Sequence, residues 1–563
     1  MTTRPPFITR ALGIGLVLIS LATAGASPPG LVGHWKLAGD AQDHSPQAHH
    51  GQPHSVDLQT TGPKGRAGTA AAFDGRESHI EVPHSPSLQL GKQEFTIALH
   101  VHSERELDDA VGDLLSKYDP QTRRGFNLSI LNNAGVTSSQ TNYRQLHFGI
   151  DNGSTAAHAW TDHGRLGKAV MIFGMAVYQG QLFAGTCETG EQQAGRVFRF
   201  DGQHWTDCGS PDKCNAVSSL AVYNGKLYVA VSKYRLAGSS LSESENPHLG
   251  GKIYRYDGDG QWTLCGSLPD TEAINGMVVY RGQLYAASMY PPAGFYRYEG
   301  GTQWTSCGTP DGKRVESLTV YNGAIFASGY DEGAVYRFDG QQWSHQGALP
   351  GATQTYGFAT HRGQLYVSEW PNASVYRRGG DKQWLFAGRL GNELETMPLM
   401  VYNGKMYGGT LPLAEVYRYD DPQWSQVGRL DLTPDVHYRR TWTMAIFQGR
   451  LFAGTLPSGH VHSVEMGHNV SYDHALPSGW VHLAAVRDTR QLRLYVDGQL
   501  VASSAEWDSA EVDTHEYNIS NAQPLQIGAG AGDYFNGKMR DVRLYLRALT
   551  ALEIEQLAHS AGS

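Results

Sequence analysis

Seven copies of one short pattern, aromatic-x-Gly-x-apolar-aromatic, govern what this chain can fold into. They read YQGQLF, YNGKLY, YRGQLY, YNGAIF, HRGQLY, YNGKMY and FQGRLF, with their glycines at Gly180, Gly225, Gly282, Gly323, Gly363, Gly404 and Gly449. Each copy is an apolar strand, a two-residue turn containing Gly and a second strand, which predicts a tight β-hairpin. Six copies are followed by a third strand and turn (VFRFDG, IYRYDG, FYRYEG, VYRFDG, VYRRGG, VYRYDD) and then by a strand opening on Trp205, Trp262, Trp304, Trp343, Trp384 or Trp424. Four strands per repeat, seven times over, predict a seven-bladed β-propeller. The last copy has a third strand, HVHSV, but no Trp strand after it. HAWTDHGRLG at 158–167 aligns with QHWTDCGSP, so Trp160 is expected to complete the last blade from the other end, leaving no open sheet edge.

The flanks alternate as strands do, in GHWKLAGDAQDHS, AAFDGRESHIEV, FTIALHVH and LHFGID before the repeats and in SGWVHLAAVRDTRQLRLYVDGQLVAS, PLQIGAG and YFNGKMRDVRLYLRALTALEIEQL after them. The Trp480-x-His482 strand with its YVDG hairpin, and the closing run Phe535-x-Gly537, Asp541-Val542-Arg543 and Arg547-Ala548-Leu549, carry a resemblance. Together the flanks resemble the concanavalin-type jelly roll of the laminin-G-like and pentraxin-like families. Neither flank alone holds a full set of strands. The expected fold is therefore all-β, a split jelly-roll sandwich with an inserted seven-bladed β-propeller. Its parts are a signal peptide at 1–26, jelly roll at 27–151, propeller at 152–467 and jelly roll again at 468–563.

Arg4 and Arg10 precede ALGIGLVLISL, and Ala22-Thr23-Ala24 and Ala24-Gly25-Ala26 offer cleavage sites, the layout of a secretion signal. The apolar run is too short to span a bilayer, so the expected location is extracellular or periplasmic, with no membrane insertion after cleavage. The chain carries 45 Lys+Arg against 54 Asp+Glu, a net charge of -9 with no basic tract, which argues against nucleic acid as a partner. Of the five cysteines, Cys214 could bond Cys208 or Cys187, while Cys208, Cys265 and Cys307 fill one slot of three consecutive blades.

Residues repeated in every blade, the Trp and the Arg of Arg199, Arg255, Arg297, Arg337, Arg377 and Arg418, are read as blade-to-blade packing. Function is sought where equivalent positions differ. Phe173, Ser218, Asn275, Glu316, Tyr356, Met397 and Trp442 start the first strands, and Cys187, Ser232, Met289, Tyr330, Trp370, Leu411 and Leu456 follow the second. Both rings are expected around the central opening. Extracellular polysaccharide is the expected partner, bound by Trp442, Tyr356, Trp370, Glu316, Tyr330, Asn275 and Arg235. The loop His437-Tyr438-Arg439-Arg440 supplies the cation and base that β-elimination on a uronate glycan requires, so a polysaccharide lyase is the favoured chemistry. The alternatives are a non-catalytic glycan-binding or adhesion protein, and a glycoside hydrolase using two of Glu316, Glu369 and Glu395. The jelly-roll resemblance implies a structural Ca²⁺, with Asp43 and Asp541 as candidate ligands.

Overall fold

The computed structural model describes residues 28–155, 159–504 and 513–560; the expected signal peptide lies outside them. Apart from the terminal helix Ala551–Ser560 and short 3-10 turns, the described regular structure is strand.

Each repeat forms an antiparallel meander, and the hairpin chemistry explains why. In Tyr-Asn-Gly-Lys both turn residues take positive φ, +49° at Asn224 and +67° at Gly225, a type I′ geometry whose twist matches that of the flanking strands. Five four-stranded sheets stand as separate blades among the described residues. One of them is closed as expected: Thr161–Arg165 pairs antiparallel with His460–Val464, completing the meander of Arg440–Phe447 and Arg450–Leu456.

The expectation of seven separate blades is corrected at the first two repeats. Their strands, Met171–Tyr178 through Trp205–Asp207 and Ala216–Tyr223 through Gln261–Ser267, belong to one eight-stranded sheet. The reason is local: the second strand runs on far enough for Cys187 to pair with Ala216, so a single ladder contact bridges the gap. The innermost strands of all the repeats adjoin one another in a closed ring.

Two repeated side chains clasp neighbouring repeats. The indole N–H groups of Trp262, Trp304, Trp343, Trp384, Trp424 and Trp160 each donate to a backbone carbonyl of the preceding repeat, at 2.8 to 3.2 Å. The hairpin tyrosines Tyr178, Tyr280, Tyr321 and Tyr402 donate to the carbonyls of Gly225, Gly323, Gly363 and Gly449 in the following repeat. The repeated arginines do not share this role. Arg255, Arg297 and Arg418 pair with the acid two residues on, and Arg199 and Arg377 reach a glutamine on the adjacent strand of their own repeat.

Two further sheets draw strands from both flanks. One runs Asp57–Thr60, Ala70–Asp74, Asn536–Tyr545, Phe95–Ser103, Gly479–Arg487, Leu492–Val496 and Gln499–Ser503, with Leu31–Trp35 also against Asn536–Tyr545. The other runs Gln52–His54, His79–Val82, Leu525–Ile527, Gly112–Asp119, Arg124–Leu131, Gln145–Asn152 and His468–Tyr472. Trp35, Phe95, Phe126, Phe148, Leu483 and Phe535 share one buried core, so the flanks bury their apolar surface together.

This body sits on the hairpin-turn rim. Arg281 donates its backbone N–H to the Leu107 carbonyl, and Arg362 and Gly363 donate to those of Ala531 and Gly532. From it, residues 132–144 enter the propeller's central channel. Thr137, Ser138, Ser139, Gln140, Thr141 and Asn142 are buried there although all are polar, because the inner strands' backbones supply partners. Thr137 Oγ1 donates to the Trp442 carbonyl, Ser138 Oγ to Ser218 and Asn142 Nδ2 to Ile446, while Met277 N–H donates to the Ser138 carbonyl and Phe358 N–H to that of Gly135.

Candidate functional site

With the channel filled from the hairpin side, the opposite rim holds the opening. There Phe173, Cys187, Met289, Tyr356, Met397, Trp442 and Leu456, all members of the two expected rings, pack into one buried cluster. Phe173 meets Trp442 edge-on at 5.2 Å and Tyr234 at 4.9 Å, which seals the axis. Above this seal lies a cavity of about 590 Å³.

The cavity wall is aromatic: Tyr234, Tyr290, Tyr330, Tyr356, Trp370, Tyr438 and Trp442. Three of its charged groups come from the starts of inner strands, and Arg235 and Glu243 come from the loop after Lys226–Ser232. Val315–Tyr321 begins beside Arg314 and carries Glu316, while Glu395–Tyr402 and Arg440–Phe447 begin with Glu395 and Arg440. Because these side chains sit where strands emerge at the mouth, a rigid sheet aims each of them inward.

Arg440 Nε lies 3.1 Å from Glu395 Oε1, both side chains buried, and Arg440 Nη1 donates to Ser239 Oγ at 2.7 Å. Ser239 belongs to the long loop after Lys226–Ser232, which therefore reaches across the mouth to the last repeat. Glu243 anchors that loop by accepting the backbone N–H groups of Leu236 and Ala237. The Arg440 guanidinium also lies 5.4 Å from the Trp442 ring and 5.6 Å from that of Tyr438. Arg314 stacks on Tyr330 at 4.0 Å while paired to Asp331, and Arg235 stacks on Tyr290 at 4.4 Å while paired to Glu272.

The two cavity carboxyls differ in company. Burial pushes the Glu316 carboxyl up to about 8, offset only in part by the Asn275 amide and by distant Arg440, and the Glu395 charge adds to the rise. Burial also raises Glu395, but there the adjoining Arg440 opposes it. Burial thus favours the protonated form of Glu316, while Glu395 has a cation beside it. Glu316 Oε2 and Trp442 Nε1 are buried without hydrogen-bond partners, and both residues line the cavity.

The structure brings Trp442, Tyr356, Trp370, Glu316, Tyr330, Arg235, Tyr438 and Arg440 into this one cavity. Asn275 stands behind Glu316, against its carboxyl. His437 and Arg439 are placed elsewhere: His437 is exposed and lies tilted against Tyr438 with ring centroids 4.2 Å apart, and Arg439 Nε donates to the Thr433 carbonyl. Arg439 pairs with Leu413 just before the strand that Arg440 opens, so the two neighbouring arginines take opposite sides. Glu369 and Glu393 serve loops, accepting the Ser374 N–H at 2.8 Å and the Leu413 N–H at 3.0 Å. Tyr290 and Gln354 line the cavity without having stood out in sequence; Tyr290 lies in the connection after Gln283–Ser288, and Gln354 opens the strand Gln354–His361.

Asp43 and Asp541, expected as metal ligands, each make contacts within the protein. Asp43 accepts the N–H groups of His34, Ser45 and His49 and the Ser45 hydroxyl, which organise a turn. Asp541 is held by Arg543 at 2.9 Å and by His34 at 2.7 Å, which keeps its carboxyl well below the usual range. All five cysteines are free thiols, and Cys187, Cys208, Cys214 and Cys265 are buried. No helix among the described residues is long and apolar enough to cross a membrane.

A family model described as the concanavalin A-like lectin/glucanases superfamily (Laminin_G_3) matches residues 448–555, well under half of the chain. No curated protein matches the sequence. Among solved structures, virginiamycin B lyase from Staphylococcus aureus is 10% identical and aligns over 55% of this chain and 99% of its own, with a TM-score of 0.44. The GH74 xyloglucanase from Xanthomonas campestris is 16% identical over 59% of this chain and 60% of its own, with a TM-score of 0.40. A two-component-system extracellular domain from B. thetaiotaomicron is 11% identical over 61% of this chain and 47% of its own, at 0.41. Likenesses of this size leave the chemistry to the residues of the cavity.

Proposed function

We propose that this is a secreted protein that binds an extracellular polysaccharide at the propeller mouth and cleaves its glycosidic bonds by acid–base chemistry. The observation that carries the reading is the aromatic-walled cavity in which a buried Glu316, its carboxyl raised by burial, shares space with an arginine-paired Glu395. Carboxyls whose surroundings separate their proton affinities are the usual partition of acid and base roles. In this reading Glu316 gives its proton to the leaving oxygen, and the Glu395 carboxylate takes one from the water that attacks the anomeric carbon. Trp370, Tyr438, Tyr356 and Trp442 supply flat faces for sugar rings, and Arg235 and Arg314 supply polar contacts at the rim.

A second reading, β-elimination on a uronate glycan, is favoured by one feature: Tyr438 and Arg440 line the cavity together, a base beside a cation. It has weaker support, because Arg440, Arg314 and Arg235 are each already paired with a carboxylate. In both readings the eight-stranded sheet acts as two blades of a sevenfold ring at 152–467, set into a jelly roll formed by 27–151 and 468–563. The Trp262 clasp between its halves, the same as those between separate blades, supports that division.

The test is incubation with neutral and uronate polysaccharides, reading new reducing ends and absorbance near 235 nm in parallel. Hydrolysis gives reducing ends without absorbance and falls at least about 100-fold in Glu316→Gln. A rise at 235 nm that is lost in Tyr438→Phe moves the assignment to elimination. Binding without either product, lost in Trp370→Ala, leaves a glycan-binding protein, and absence of binding overturns the proposal.

A further inference from the structure

The seam that closes the propeller ring carries a cluster that the mouth does not use. Thr161–Arg165 and His460–Val464 pair antiparallel with Asp162 opposite His462. His460 and His462 are two apart on one strand and so project to the same face. Their rings stack at 6.0 Å with 21° between planes. Both Nδ1 atoms face the same carboxylate: His460 Nδ1 is 3.0 Å from each oxygen of Asp162, and His462 Nδ1 is 4.0 Å from Oδ1. One ligand atom from each residue can be chosen so that all lie within 4.8 Å of one another, and this is the one such trio among the described residues. The His462 side chain is buried and its Nε2 has no hydrogen-bond partner.

We propose that Asp162, His460 and His462 form a binding site for a first-row divalent transition-metal ion of the Zn²⁺ class, placed where the ring's first and last strands meet. Two imidazoles with one carboxylate suit such ions, whereas Ca²⁺ and Mg²⁺ prefer oxygen-only sets. Tetrahedral coordination at the usual zinc distances places ligand atoms about 3.4 Å apart. Asp162 Oδ1 accepts the Gly164 N–H at 2.8 Å, which orients the exposed carboxylate toward both imidazoles, with Oδ2 3.0 Å from His460 Nδ1. Asp162 and His460 are 298 residues apart, so a bound ion cross-links the two ends of the ring and opposes its opening. The ion's role is to hold the closure, independent of the chemistry at the mouth.

The test uses tag-free, chelator-treated full-length protein titrated with Zn²⁺ alone by calorimetry, with thermal melts in the absence and presence of the ion. One equivalent is expected to bind and to raise the melting temperature. His460→Gln and Asp162→Asn are expected to weaken binding by more than about 100-fold, since even outer-shell partners are worth about 10–100-fold. Asp162→Asn keeps the side-chain oxygen that holds Gly164, and His460→Gln alters a partly exposed position; melts without metal establish that both fold. His54→Gln, in the histidine-rich N-terminal flank, is expected to change nothing. Absence of stoichiometric binding, binding that survives both seam variants, or binding that is lost with His54→Gln overturns the proposal.

Discussion

At the scale of single residues, Glu316 shows how far burial moves the proton affinity of an ordinary carboxyl. Its proton affinity is raised in the fold to about 8 against an ordinary 4.5. Between those values the folded state holds a proton that the unfolded chain has released, so this group's contribution to stability falls as pH rises through that window. Above 8 the fold must carry a buried charge. Glu316→Gln removes the liability. Its stability in urea should therefore match that of the parent below pH 4.5 and exceed it increasingly toward pH 9, by about 3–5 kcal/mol at most. A constant difference across pH would mean that the carboxyl is not protonated in the fold. The sequence made Glu316 a candidate because it breaks the equivalence of the first-strand ring. It gave no sign that Arg440 would pair with Glu395 and leave Glu316 with no cation in contact.

At the scale of elements, the repeated tryptophan was legible as scaffold, and its indole clasp gives that role a mechanism. Arginine was misread for a reason that periodicity cannot reveal: a residue repeated in every blade can face its own repeat as readily as the next. The clasp also predicts a difference between chemically identical substitutions. Trp304 donates to Cys265 at 2.8 Å, whereas the Trp205 indole finds no acceptor among the described residues. Trp304→Phe should therefore lose about 0.5–1.5 kcal/mol more than Trp205→Phe, read from denaturant midpoints, because only the former gives up a hydrogen bond. The loop at 132–144 carries no motif that sets it apart in the sequence. Its small polar residues suit a channel lined by backbone, but they suit a solvated turn equally well, and only the inner strands around it decide between the two.

At the scale of the whole molecule, the two-sheet body and the propeller share a chain path, a rim of backbone hydrogen bonds and the inserted loop. They should unfold together. Calorimetry should show one transition with matching calorimetric and van't Hoff enthalpies. Replacing residues 133–141 with a short Gly/Ser link should lower the transition and separate it into two, since the inner strands lose the partners for their carbonyls and N–H groups. Two transitions in the unaltered protein would show instead that the junction couples the bodies weakly. By itself the sequence determined the all-β class, the hairpin repeat and the strand that closes the ring, because turn chemistry, strand periodicity and a displaced copy are written locally along the chain. The tertiary structure alone decided three things: the merging of the first two repeats through Cys187 and Ala216, the filled channel, and which rim residues meet in one cavity. Each depends on the distance between groups remote in sequence, and proton affinity, ion pairing and burial follow from that distance.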